Sequence, residues 1–421
     1  MTVASRSQTG SIIDFSSRLR SVLQKSQNAL PDDCPDVLLY TSTLPLAPTE
    51  FSKSQKIELR EHAVCIWNSC NLISASGNPQ NIAGVAKLRA FTYLLLASIA
   101  PPSSKKSANI SKLYENFLTA TRECLQAGLV ELAGRVLELE ANTPILLNKV
   151  DTNQENVQEH ISCMIDYYSL RLLYDWRRHR ADLADRHYSS LLNMPYRLQE
   201  ADAEKIVDLL FEIGRECLSQ QDIHSAISWL ERAMHMMNAD GAYDSFAGSD
   251  LRLNVMHCLA QALSALPDHD DAVRARDILK QLEKEYGAKL PILLLSLEVA
   301  CNQHELDSDT ISNQLEGIIH TAHLIEANHR LIMYYIQQLT SASPLHATRC
   351  LKHYLLQRLI PEGNFDWTEK SIVSYIAMHS TQDFSGSAPV VQGLEQELGV
   401  FSEAMKCSLG PVAAQAAHVL V

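Results

Sequence analysis

Residues 203–237 read as two helices joined by a short polar turn, and this hairpin constrains the fold more than any other stretch of the chain. Gly214 lies in the first helix, and Ala226, Leu230 and Ala233 follow it by twelve, sixteen and nineteen residues. Small residues at such intervals let two helix backbones approach, while larger apolar residues fill the gaps between them. One hairpin cannot bury its own apolar face, so neighbouring hairpins must stack on both sides.

Looser copies of the hairpin occur before and after it. Ala184 lies 42 residues before Ala226, which exceeds the roughly 34 residues of a standard tetratricopeptide (TPR) repeat. Ala260 and Ala347 take small positions in two later hairpins. The chain shows no alternating apolar–polar pattern typical of strands, and it has only 15 glycines and 15 prolines. The sequence therefore predicts an all-α fold, a TPR-like α-solenoid of irregular helical hairpins.

Three regions follow from the distribution of prolines and apolar residues. Residues 1–50 are predicted to be a partly disordered segment, Ser/Thr-rich over Met1–Gly10 and extended over the proline-containing stretch Pro31–Glu50. Residues 51–380 are predicted to form the helical repeat array. Residues 381–421 are predicted to be a loop plus a terminal helical segment that continues the array. Because this segment ends on an apolar run, we expect further sequence or a partner to cover it.

The charge balance and the lengths of the apolar runs argue against two classes of partner. The net charge is −13, whereas proteins that bind nucleic acid directly usually present a basic surface. The longest apolar runs, Phe91–Ala100 and Pro291–Ala300, are shorter than the roughly 20 residues that span a bilayer. We therefore predict no direct contact with nucleic acid and no membrane.

No sequence motif indicates catalysis or cofactor binding. The chain contains no glycine-rich phosphate loop, no GxSxG and no HExxH, and none of its ten cysteines forms a CxxC pair. We predict a protein that is not an enzyme, with no catalytic residues, no cofactor and no small-molecule substrate. A cysteine–histidine nucleophile pair is an open alternative, because nothing distinguishes one thiol from another.

Three histidines lie close together in sequence: His320, His323 and His329. The first two could share a helical face and bind a metal ion. No cysteine or carboxylate is placed to complete such a site, so we predict no metal and expect these histidines to be solvated or packed in the core.

The densest basic segment is residues 176–180, WRRHR, within a basic region over 171–197. One interpretation is a solvated turn whose arginines pair with neighbouring helices. A second is a docking site for an acidic peptide, since arginine forks bind carboxylates, and a third is contact with DNA. The arginines that we nominate as partner contacts are Arg171, Arg177, Arg178 and Arg180.

In TPR arrays the first helix of each hairpin lines the concave groove, so polar residues of those helices are further candidates. Arg252 and Asn254 lie near the start of one such helix. Asn254 could bind a peptide backbone, or it could instead satisfy the end of its own helix.

Several segments together resemble one family. They are Ile66-Trp67-Asn68, ADLADRHYSSLL over 181–192, DLRLNVMHCLAQAL over 250–263, and CLKHYLLQRL followed by FDWTEKSIVSYIAM over 350–378. Their order resembles the meiosis-specific sporulation TPR proteins of the ZMM (synapsis and crossover) group, of the fungal type, over roughly residues 55–420. Members are usually longer, so the resemblance also suggests a truncated chain.

The resemblance implies a non-enzymatic scaffold in the nucleus, on meiotic chromosomes. Such a scaffold assembles synaptonemal-complex and crossover factors, and its partners are other crossover and chromosome-axis proteins. It carries no catalytic residues over to this chain. Two alternatives stay open: a general intracellular TPR adaptor of the chaperone or ubiquitin-ligase type, and a hydrolase that uses one of the thiols.

Overall fold

Helices dominate the part of the chain described by the computed structural model, which is residues 3–25, 36–99, 107–139, 157–194, 198–238, 246, 248–301, 307–382 and 396–406. Those residues contain no β-strand. The predicted all-α fold class is confirmed. By its internal contacts the chain divides into two units, Met1–Asp202 and Ala203–Val421, and each is described by itself.

The first unit consists of helices that pack against their neighbours in sequence. They are α1 (Val3–Lys25), α2 (Asp36–Thr43), α3 (Lys53–Ala75), α4 (Ile82–Ile99), α5 (Ser107–Gln126), α6 (Val130–Leu139), α7 (Val157–Arg177) and α8 (Ala181–Leu192). Contacts join α3 to α4, α4 to α5, α5 to α6 and α7 to α8, and α5 and α6 both touch α7. This is the pattern of stacked antiparallel hairpins.

Helices α1 and α2 differ from the expectation for residues 1–50. Helix α1 begins at Val3, inside the segment expected to be disordered, and it buries Ile12, Phe15, Leu19 and Leu23 as one apolar stripe. Helix α2 forms inside the stretch expected to be extended. It can do so because the residues 36–43 contain no proline, and proline disrupts a helix only from within. The residues 26–35 lie outside the described part of the chain.

Helix α4 is the core of the first unit. With the turn before it, Pro79–Ile99, it is long and apolar enough to cross a membrane by length and composition, although the run Phe91–Ala100 alone is not. Most of the helix is buried against α2, α3 and α5, as in a core helix. Its Arg89 is buried, binds Glu123 on α5 at 2.6 Å, and lies over the ring of Trp67 on α3.

Three consecutive hairpins share the same turn. The residues Gly128, His179 and Gln221 each have positive φ, at 71°, 56° and 62°. Each amide donates to a carbonyl three residues back, and the next amide donates to a carbonyl five residues back. This is the Schellman arrangement that closes a helix C-terminus. The three hairpins therefore close their first helix in the same way.

We expect the Gln221→Gly variant to raise the free energy of unfolding by about 0.5 kcal/mol, because an L-residue with a side chain is strained at positive φ. The converse change, Gly128→Ala, should lower it by about 1 kcal/mol. A Cβ atom at Gly128 would meet nothing within 4 Å, so its effect would report backbone strain alone. Urea unfolding of both variants checks this, and a destabilised Gln221→Gly variant would contradict it.

The second unit repeats the hairpin design. It contains α9 (Glu200–Ser219), which begins just before the unit boundary, α10 (Ile223–Met237), α11 (Asp250–Ser264), α12 (His269–Tyr286), α13 (Leu290–Cys301), α14 (Ser308–Thr321), α15 (Glu326–Ala342), α16 (Pro344–Tyr354) and α17 (Phe365–Gln382). A π-helical turn, Leu355–Leu359, follows α16, and the residues 396–406 are again helical. Contacts of α11 with α13 and of α14 with α16 stack successive hairpins.

The hairpin of α9 and α10 shows why a glycine is needed at one crossing. A Cβ atom on Gly214 would lie 2.7 Å from Cγ of Leu230, which is closer than real contacts allow. The other residues predicted to pack between helices are fully buried: Ala184, Ala226, Leu230, Ala233, Ala260 and Ala347.

Arginines close the ends of several helices from outside. Arg358, in the π-helical turn, donates to the carbonyls of Ile319, His320 and Ala322 at 2.6, 3.1 and 2.7 Å, which is the C-terminal end of α14. In the first unit, Arg135 donates to the carbonyls at the end of α2. The last carbonyls of a helix have no partner inside it and carry partial negative charge. A guanidinium supplies both the missing hydrogen-bond donors and a compensating positive charge.

Candidate functional site

Two of the arginines nominated as partner contacts are tied into the first unit. Arg171 donates from Nη2 to the carbonyl of Leu137 at 2.9 Å, in the last turn of α6, and from Nε to the hydroxyl of Tyr167 at 3.1 Å. Arg177 donates to the carbonyl of Leu125, in the last turn of α5. Both arginines therefore cap neighbouring helices.

The other two lie on the exposed turn between α7 and α8. Arg178 donates to the hydroxyl of Tyr174 at 3.0 Å and stacks over that ring. Arg180 donates from Nε and Nη2 to the two carboxylate oxygens of Asp182, each at 3.1 Å. These hydrogen bonds lower the pKa of Asp182. The Arg180 and Asp182 side chains are 55% and 65% exposed, so water screens their pairing and makes it weak.

A polar pair packs beneath this turn, with one buried and one half-buried member, and the sequence interpretation missed it. Asp175 on α7 is buried and accepts Nε2 of His187, on α8, at 3.1 Å. The backbone carbonyl of Asp175 also accepts the amide of Arg180. Burial lowers the pKa of His187, while the Asp175 charge opposes that effect. The pair fixes α7 against α8 and so holds the turn 178–180 in place.

The two candidates of the second unit, Arg252 and Asn254, lie in different environments: the first is buried and the second is exposed. Arg252 is fully buried: its guanidinium binds Glu285 at 2.9 and 3.3 Å and the Asn238 side chain at 3.0 Å. Its side chain thus belongs to the interior of the unit and not to a surface. Asn254 is exposed. The cap of α11 is the Ser249 hydroxyl, which accepts the amide of Arg252.

The eight cysteines in the described part of the chain are free thiols. Burial raises the pKa of Cys124 and of Cys217 to about 12, and it also raises the pKa of Cys258, Cys301 and Cys350. A cysteine nucleophile needs the opposite shift, because the thiolate is the reactive form. These five thiols therefore stay protonated at neutral pH.

The three histidines that lie close together in sequence take separate environments in the structure. His329 stacks on Trp367 at 4.7 Å and its Nδ1 lies 3.0 Å from the Tyr354 hydroxyl, whereas His323 is exposed. The partner of His320 is His353, on the next hairpin, with 2.8 Å between the two Nε2 atoms. Within the described ranges, no group of three or more His, Cys, Asp or Glu side chains is arranged to hold a metal ion.

These features define a class: an all-α protein of stacked helical hairpins, with its polar surface groups carried on helices and turns. Within that class, a family model described as "Meiosis protein SPO22/ZIP4 like" matches residues 174–421, more than half of the chain. The chain belongs to this family of meiosis proteins, which confirms the resemblance drawn from the sequence. The match begins after Ile66-Trp67-Asn68. No curated protein and no solved structure matches the chain.

Proposed function

We propose that this chain is a non-enzymatic scaffold on meiotic chromosomes, which assembles crossover and synaptonemal-complex factors through protein–protein contacts. Membership of the SPO22/ZIP4-like meiosis family carries the proposal. Stacked hairpins support it, because such arrays present extended surfaces for partners. The raised pKa of five thiols favours a scaffold over a thiol hydrolase.

The array extends, in this proposal, from residue 51 past residue 380. Leu398, Phe401 and Met405 of the helical segment 396–406 pack in the same hydrophobic cluster as Tyr375 of α17. That packing is what we expect if the segment 381–421 continues the hairpin series.

Affinity purification of the tagged protein from meiotic cells tests the function. The scaffold proposal expects chromosome-axis and crossover proteins among the recovered partners, and signal of the tagged protein on spread meiotic chromosomes. Recovery of chaperones or ubiquitin-ligase subunits alone, with expression outside meiosis, would instead support the general adaptor.

The exposed turn 178–180 is our candidate contact for an acidic segment of a partner. We expect the double variant Arg178→Glu, Arg180→Glu to bind such a partner at least about tenfold more weakly, because reversed charges meet its carboxylates. Arg177 is left unchanged, because it caps α5 and its loss would destabilise the unit. Quantitative pull-down from meiotic extract measures the effect.

The matched control is Lys280→Glu, a charge reversal on the exposed face of α12. It should retain the partner, and both proteins should show the same thermal unfolding as the natural chain. If the double variant keeps all of its partners, the turn has only a structural role.

A further inference from the structure

His320 and His353 form an unusual pair on the surface of the second unit. His320 lies in the last turn of α14 and is exposed, while His353 lies on α16 and is half-buried. Their Nε2 atoms are 2.8 Å apart, and the rings meet edge to face with 4.8 Å between centroids. For the described residues, the structure gives neither ring another hydrogen-bond partner. Two ring nitrogens from two separate hairpins thus face each other across one short hydrogen bond.

Burial and the neighbouring charges act on the protonation of His353. Burial lowers the pKa of His353, and the charges of His320 and Arg349 lower it further, while the Glu316 charge opposes them. A neutral imidazole offers a lone pair, whereas a protonated one does not. Arg349 binds Glu316 at 3.2 Å, so the nearest positive charge is itself paired.

We propose that His320 and His353 together bind a zinc ion, which bridges α14 and α16. Imidazole nitrogen is a preferred zinc ligand at about 2.0–2.1 Å. Two such ligands in tetrahedral geometry lie about 3.3 Å apart, so the pair must open by about half an ångström. The exposed His320 side chain can supply that movement by rotation. Water completes the coordination, and the Glu316 carboxylate lies one helical turn before His320.

The consequence of binding is a link between successive hairpins. Helices α14 and α16 already touch through Arg349 and Glu316 and through His346 and Asp309. A zinc ion would add a bond that exists only in the folded state, so it would stabilise the unit in proportion to its occupancy.

The test is thermal unfolding of the full chain, freed of metal by a chelator and then titrated with zinc chloride. We expect saturating zinc to raise the Tm by about 5 °C. The variants His320→Gln and His353→Gln should each abolish this rise. The matched control is His323→Gln, which removes an exposed histidine three residues from His320 and should keep the rise.

Two outcomes would overturn the proposal. One is no change of Tm up to about 1 mM zinc, because a ligand that binds only the folded state must raise the Tm once its concentration exceeds its Kd. The other is a rise that persists in both variants, which would place the ion elsewhere, for example on thiols. If His353→Gln lowers the Tm before zinc is added, His320→Gln decides the question, because that side chain is exposed.

Discussion

The Arg252→Ala variant should lower the free energy of unfolding of the second unit by about 3–5 kcal/mol. Arg252 is fully buried, and its removal leaves Glu285 and the Asn238 amide without their shared donor. Glu285 is partly buried and keeps the Gln281 amide as a donor, but the loss of its counter-charge still costs far more than the pair itself contributes. Urea unfolding followed by circular dichroism measures the loss.

Two further variants separate this cause from simple truncation. Arg330→Ala removes an arginine that is 76% exposed and pairs with Glu326 one turn away, and it should cost less than about 0.5 kcal/mol. The double variant Arg252→Met, Glu285→Leu removes both charges and should recover most of the stability. A cost of Arg252→Ala below about 1 kcal/mol would show that Glu285 finds water instead.

The Gly214→Ala variant should lower the free energy of unfolding by about 1–2 kcal/mol, although alanine favours helix formation by up to about 1 kcal/mol. The added methyl group would lie 2.7 and 2.8 Å from Cγ and Cδ2 of Leu230, so α9 and α10 must move apart. Loss of this close crossing should also loosen the buried positions Ala226 and Ala233. Thermal and urea unfolding of the variant both measure this loss of stability.

The control is Gly317→Ala, on α14. A Cβ atom there would meet Leu293 at 3.6 Å, an ordinary van der Waals distance. The helix preference of alanine then acts alone, and we expect a gain of up to about 1 kcal/mol. Equal effects at Gly214 and Gly317 would contradict the close-crossing explanation.

How far the sequence predicts this fold depends on whether the residues in contact are local. The contact of Gly214 with Leu230 follows from helix geometry and spans sixteen residues, so its spacing could be recognised. In the next hairpin the same spacing selects Ala272, but the structure buries Ala275, one turn later. In both hairpins the second helix begins nine residues after the small residue, so the helix that begins at His269 differs in which face it buries, and spacing alone does not show that difference.

Polar contacts between residues far apart in the chain could not be predicted from the sequence, because no local pattern links the two partners. Arg252 looked like a surface residue at the start of a helix, because its partner Glu285 lies 33 residues away. Likewise, the histidine close to His320 in space is His353 and not His323. Backbone carbonyls, which accept Arg171 and Arg177, have no sequence signature at all.

The arginines that cap helix ends also give the chain a direction of assembly. In every such contact described above, the donor comes later in the sequence than the helix it closes: Arg135 closes α2, Arg171 closes α6, Arg177 closes α5, and Arg358 closes α14. During synthesis on the ribosome, these four helices emerge before the side chain that satisfies their last carbonyls. A stable fragment of this protein therefore ends after the next capping arginine, and not after the last helix of the hairpin that it is meant to contain.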